Sequence, residues 1–231
     1  MAKGKPSLRN LFQEKYGDVL EVAREGEQRC FGGKRWGGNA VLIVVDAALD
    51  SIGLNYFQIV VPRVRRFWKE YVKTGSIASF EDFSRLSPQD PRLKRIMNNE
   101  RCWRAAIGIC RVLDRIRRER GLESDFAALR FWAERASYRD WKKDPLGEIP
   151  GVGLITFQYL RMQAGVDTAM PDKIVKRAVE RDFGITAKDD LGFIGRMERL
   201  SEEIGYSQTL ICWAIWLKES DIRTPGWERI D

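Results

Sequence analysis

An all-α fold is the expectation for this chain, and three observations carry it. Apolar residues recur at three-and-four spacing through most of the sequence. Alternating apolar runs joined by a hairpin turn are not found. Serine-led segments with acidic residues in the next turn mark helix starts, as in Ser79 followed by Phe80, Glu81 and Asp82.

Taken in chain order, the first element is the run Val41 to Val45. Periodicity alone fits a buried strand or a buried helix, and the continuation through Ala47, Ala48 and Leu49 favours the helix. Helical spacing follows in Val60 to Tyr71, and helix starts are expected at Ser79 and at Ser87-Pro88, which precedes Gln89-Asp90. Further helical runs are Trp103 to Ile116, Phe126 to Ala136, Leu154 to Met162, Ile174 to Val179 and Leu210 to Leu217. Cys102 and Cys110 lie eight residues apart, near one face of a helix, where small apolar thiols belong in a core. No repeat or low-complexity linker interrupts the series.

Composition narrows the chemistry. The 231 residues suffice for one large domain or two small ones, and 44% hydrophobic with 32% charged residues describes an ordinary globular protein. The longest apolar run, Ala40 to Leu49, is interrupted by Asp46 and is too short to span a bilayer. The opening residues, Met1-Ala2-Lys3-Gly4-Lys5, lack the apolar stretch of a signal peptide, so a cytoplasmic, nucleoid-associated location is expected. A formal net charge of +7 suits partners that carry phosphate. Histidine is absent, which excludes Ser-His-Asp and Cys-His catalysis and histidine-ligated metals. Cys30, Cys102, Cys110 and Cys212 form no C-x-x-C pair, so neither a zinc site nor an iron-sulfur cluster is expected. Acid-base work would rest on carboxylates, lysine, tyrosine or thiol.

Two glycine-bearing segments stand out. Phe31-Gly32-Gly33-Lys34-Arg35-Trp36-Gly37-Gly38 reads as a flexible loop with two cations and an indole, either a plain connector or a DNA contact; it does not match a nucleotide P-loop. The second is Leu146-Gly147-Glu148-Ile149-Pro150-Gly151-Val152-Gly153, which feeds the helical run from Leu154. Pro150 is expected to end a preceding helix, and Gly151 and Gly153 to allow a backbone path that β-carbons would obstruct. A helix start after such a loop presents unpaired N–H groups to a phosphate, and an ordinary helix-helix corner has the same composition. Nineteen positions after Gly153 comes Asp172, preceded by Pro171 and followed by Lys173-Ile174-Val175-Lys176-Arg177. Local sequence makes Asp172 a helix N-cap, worth about 1 kcal/mol.

The string Ile149-Pro150-Gly151-Val152-Gly153, then Pro171-Asp172, then Arg177 five residues after that Asp, resembles the helix-hairpin-helix/GPD superfamily of DNA glycosylases. The resemblance covers about Gly37 to about Arg181. It implies two helical lobes, residues 1–38 with 166–231 and residues 39–165, with double-stranded DNA bearing a lesion or mismatch held across a cleft and a nucleotide flipped into it. It implies a monomer that requires no cofactor. Gly151, Val152 and Gly153 would bind backbone phosphate, while carbonyls of Gly147, Ile149 and Val152 match positions that hold a monovalent cation, sodium or potassium. Asp172 would be the catalytic carboxylate, opposing the positive charge that builds on the sugar as the glycosidic bond breaks. At ~4 Å and an effective dielectric of ~20 that interaction reaches ~4 kcal/mol, about 10³-fold in rate. Lys173 is counted among the DNA-binding residues; otherwise it would be a solvated helix-start residue, or would help keep Asp172 ionised.

The same resemblance places the lysine nucleophile of lyase-competent members at Ile155, so a monofunctional enzyme is implied. Asp46, a charge inside an apolar helix, matches a position where one branch keeps an acid for base protonation; an arginine partner would make it structural instead. Asp50 would share its face. Ser51 to Tyr56 matches the loop that fills the space left by a flipped base, with Leu54, Asn55 or Tyr56 as the wedge. Two alternatives stay open here: a non-catalytic hairpin DNA binder, and a glycosylase/lyase with a relocated lysine.

Overall fold

The computed structural model describes residues 7–222; residues 1–5, read above for a leader, and residues 223–231 of the expected first lobe lie outside them. Among the described residues the regular structure is helical throughout, with no strand. The α-helices are α1 (Leu8–Tyr16), α2 (Leu20–Phe31), α3 (Ala40–Asp50), α4 (Val61–Phe67), α5 (Phe80–Ser84) and α6 (Pro91–Ile96). They continue as α7 (Glu100–Arg120), α8 (Asp125–Arg135), α9 (Leu154–Gln163), α10 (Lys173–Phe183), α11 (Asp190–Ile204) and α12 (Gln208–Glu219). No helix among the described residues is long and apolar enough to cross a membrane.

The chain divides into two compact units. One holds residues 7–29 and 167–222, the other residues 30–166. In the second unit α3 is the axis, buried from Ala40 to Leu49, and α4, α5, α7, α8 and α9 pack around it. Asn39 starts it by accepting the Leu42 N–H at 3.0 Å. The strand alternative for Val41 to Val45 is thereby excluded. An aromatic stack of Phe67 with Tyr71, Phe83 and Trp103, at 4.9 to 5.9 Å between centroids, fills the neighbouring core. The first unit is built on α1, α10, α11 and α12, with Phe12 at the centre of a cluster with Tyr16, Phe183 and Tyr206.

Several expected elements take a different form. Val60 to Tyr71 is a short α-helix between two π-helical stretches, Tyr56–Val60 and Trp68–Val72. Pro62 in its first turn donates no N–H, which agrees with an irregular ladder there. Ser79 does start a helix, and with Asp82 it closes a capping box. Ser87-Pro88 does not. Helix α6 begins three residues later, where Asp90 caps it and Pro91 occupies its first turn, the same chemistry in a better frame. Cys102 and Cys110 are both buried in α7, as their spacing predicts.

Candidate active site and nucleic-acid interface

The segment expected to be a helical hairpin is shaped by Asp144 rather than by Pro150. After α8 the chain makes a 3₁₀ stretch, Tyr138–Lys143, and not an α-helix. Asp144 then accepts the Trp132 indole N–H at 3.0 Å and the Leu146 N–H at 2.8 Å, and Pro145 bars helix continuation. Pro150 therefore ends no helix; it sits in the following turn, which is closed by the Val152 N–H donating to the Ile149 carbonyl at 2.9 Å. Gly151 has φ +102°, a conformation only glycine adopts readily. At Gly147 a β-carbon would lie 1.7 Å from the Trp141 carbonyl oxygen, so the turn closes only with glycine there.

Gly153 is different. A β-carbon there would meet nothing within 4 Å, so the obstruction expected at Gly153 does not occur. It is the N-cap of α9, is exposed, and has no side chain to accept the first N–H groups of that helix. Those groups and the positive end of the helix dipole suit an anion. Ile155, in the first turn of α9, is half-buried.

Asp172 belongs to the other unit and caps α10. Its Oδ1 accepts the Val175 N–H at 2.7 Å, as local sequence predicts, and its Oδ2 accepts the Trp216 indole N–H at 2.5 Å. Burial raises its carboxyl above the ordinary range, opposed by the N–H groups of Val175 and Ile174, the indole of Trp216 and the charge of Lys176. Lys176, not the exposed Lys173, is thus the lysine that favours its ionised form, while itself pairing with Asp190 at 2.6 Å. Three donors, the N–H groups of Val175 and Ile174 and the Trp216 indole, leave the two carboxylate oxygens further lone-pair capacity, so the group can also face a cation or a water. Nothing local marks Trp216 among the eight tryptophans, because it stands 44 residues away on α12.

Asp46 is fully buried in α3. Its Oδ2 accepts from Arg35 Nη2 at 3.1 Å, the Trp36 indole at 2.9 Å and the hydroxyls of Tyr56 at 3.1 Å and Tyr159 at 3.4 Å. Arg35 is the arginine partner that a structural role requires, and it too is fully buried. The segment Phe31 to Gly38 is accordingly not a plain flexible loop: Lys34 is exposed, but Arg35 and Trp36 are buried, and Trp36 is held at φ 48° with its indole on Asp46. Asp50, four residues on, is half-buried.

The expected wedge loop is a tight connector. Gly53 turns it with φ +70°, Asn55 caps the next helical stretch by accepting the Gln58 N–H at 2.9 Å, and Tyr56 bonds to Asp46. Leu54 is half-buried, and Ile52, not among the expected residues, is 38% exposed. The structure thus joins Tyr56 to Asp46 and gathers Gly147, Ile149, Gly151, Val152 and Gly153 into one turn.

The described residues form an all-α fold. A solved structure with which the chain shares it is the 8-oxoguanine DNA glycosylase of Thermotoga maritima, with a TM-score of 0.51 and 14% sequence identity over 91% of this chain and 94% of that one. At that identity the likeness speaks for fold, and activity must be argued from residues. No family model matches the chain, and no curated protein matches it in sequence.

Proposed function

We propose that the chain is a DNA N-glycosylase of base excision repair that hydrolyses the glycosidic bond of a flipped, damaged or mismatched base, without lyase activity. The observation that carries this reading is Asp172: in a chain with this fold, a carboxylate stands nineteen residues beyond a Pro-Gly-Val-Gly turn and is fixed by a backbone N–H and an indole. Binding of duplex DNA falls to the amides of Gly151, Val152 and Gly153 at the head of α9. Asp172 opposes the charge on the sugar or orients the attacking water. Leu54 is the proposed wedge, with the exposed Ile52 beside it, since Asn55 and Tyr56 are engaged by their own elements. Asp46 is assigned a structural role, on the strength of its Arg35 partner.

Ile155 supplies no amine where a lyase needs one, which supports the monofunctional assignment. A sodium or potassium ion would be held by the carbonyls of Gly147, Ile149 and Val152; that of Ile149 already accepts one N–H and has a second lone pair to offer. The protein is proposed to act as a monomer on chromosomal DNA in the cytoplasm.

Release of free base is the test, from duplexes holding 8-oxoguanine first, then uracil, T:G, A:8-oxoguanine and alkylated purines. Asp172→Asn is expected to lower release by about 10³-fold or more while leaving duplex binding largely intact. No release from any lesion at enzyme excess would refute the glycosylase reading. A borohydride-trapped protein–DNA adduct would refute its monofunctional part.

A further inference from the structure

Helix α7 carries seven arginines, and five of them, Arg101, Arg104, Arg111, Arg115 and Arg118, stand at offsets of 0, 3, 10, 14 and 17 residues. At about 100° per residue these fall within an arc of about 100°, and all five are exposed. The row extends for about 25 Å at 1.5 Å per residue. The acids of the same helix neutralise it only in part, at Arg104 and Arg118. Asp114 is buried and pairs with Arg118 and Arg117 at 3.0 Å; Glu100 and Glu119 stand at the two ends, with Glu100 paired to Arg104. Among the described residues no carboxylate lies within ion-pair distance of Arg101, Arg111 or Arg115, and Arg111 bonds only to the Ser84 carbonyl, at 3.2 Å.

The row begins where the glycine turn sits. A β-carbon at Gly151 would lie 3.2 Å from Ala105 Cβ and 3.3 Å from Arg101 Cγ, and one at Gly108 would lie 2.9 Å from Ile149 Cγ2. The turn is therefore seated on α7 between Arg101 and Gly108, and Arg111, Arg115 and Arg118 lead away from it along the same helix. Arginine matches phosphate with a planar fork of donors, and a linear row of such forks complements a linear polyanion better than a point ligand.

We propose that this row is a sequence-independent track for the sugar–phosphate backbone of duplex DNA, continuing the path begun at the turn and holding lesion-free DNA beside the target. The proposal rests on the glycosylase reading above and extends its contact to flanking duplex.

Binding of the full chain to a lesion-free 30-base-pair duplex, followed from 50 to 300 mM KCl, tests it. Arg111→Gln/Arg115→Gln/Arg118→Gln is expected to flatten the log–log salt dependence by about 0.9 for each phosphate that is no longer neutralised, up to about 2.7. The matching triple lysine variant, which keeps the charges, is expected to restore most of the slope. Arg115→Gln alone, at an exposed side chain beyond ion-pair distance of any described carboxylate, is expected to flatten it by up to about 0.9 and needs no rearrangement of the fold. An unchanged slope in variants with the parent's helical circular dichroism, while the parent itself binds duplex, would overturn the track and leave the glycosylase reading standing. Failure of the parent chain to bind duplex would overturn both.

Discussion

At the scale of single residues, Asp172 and Trp216 form the pair on which the proposed chemistry turns. The carboxylate needs to be ionised to face a developing cation, and burial works against that. The Trp216 indole is one of the donors that work for it. Trp216→Phe is therefore expected to shift the acid limb of a base-release pH profile toward higher pH, and to cost about 1.5–3 kcal/mol for removal of a hydrogen bond to a charged group. A purely structural Trp216 would lower the melting temperature and leave the profile where it was. Asp46 is the contrasting acid. Buried against Arg35, it resembles pairs whose disruption costs about 3–5 kcal/mol because the remaining charge is stranded. The two carboxylates are told apart by what surrounds them, which no local sequence window contains.

At the scale of elements, the turn before α9 separates glycines that fold the chain from one that is free for a ligand. Gly147→Ala drives a β-carbon into the Trp141 carbonyl, and an unfolding loss of about 4 kcal/mol or more is expected by urea denaturation. Gly153→Ala meets no protein atom and should cost less than about 1 kcal/mol, yet weaken duplex binding by roughly tenfold. Equal effects of both on stability would contradict this division. Elements are legible in the sequence where one residue type dominates. Helix α3 is, because only Asp46 and Asp50 break its apolar run; so are α7, α8, α9 and α12, with their periodic faces. Helices α1, α2 and α11 are not, since charged and polar residues dilute their apolar stripes. The start of α6 is misplaced by sequence because Ser87-Pro88 and Asp90-Pro91 offer the same signal three residues apart, and only packing chooses between them. Pro150 looks like a helix stop because the competing Asp144-Pro145 pair draws its force from Trp132, twelve residues upstream of Asp144.

At the scale of the whole molecule, acid sensitivity is expected in the unit formed by residues 7–29 and 167–222. Asp182 accepts from Arg181 at 2.6 and 2.9 Å and from the Tyr16 hydroxyl at 2.6 Å. The bonds from Arg181, then that of Tyr16, bring its carboxyl down to about 2. A folded value below the ordinary 3.8 means stability that is present above about 4 and lost as pH falls through about 2. Asp172, raised rather than lowered, has the opposite sign: its contribution declines as pH rises through its folded value. Asp182→Asn is expected to lower stability at neutral pH and to flatten its fall between about pH 4 and pH 2, followed by circular dichroism; an unaltered acid transition would contradict the assignment. The four thiols extend this division into time. Cys212 is buried in that unit, and Cys30, Cys102 and Cys110 are buried in the unit of residues 30–166. Burial also pushes Cys110 and Cys212 above the usual thiol range, away from the reactive thiolate. A thiol reagent can then mark each site only when its own surroundings open, so the order in which Cys212 and the other three are labelled is a clock for which half of the protein breathes first.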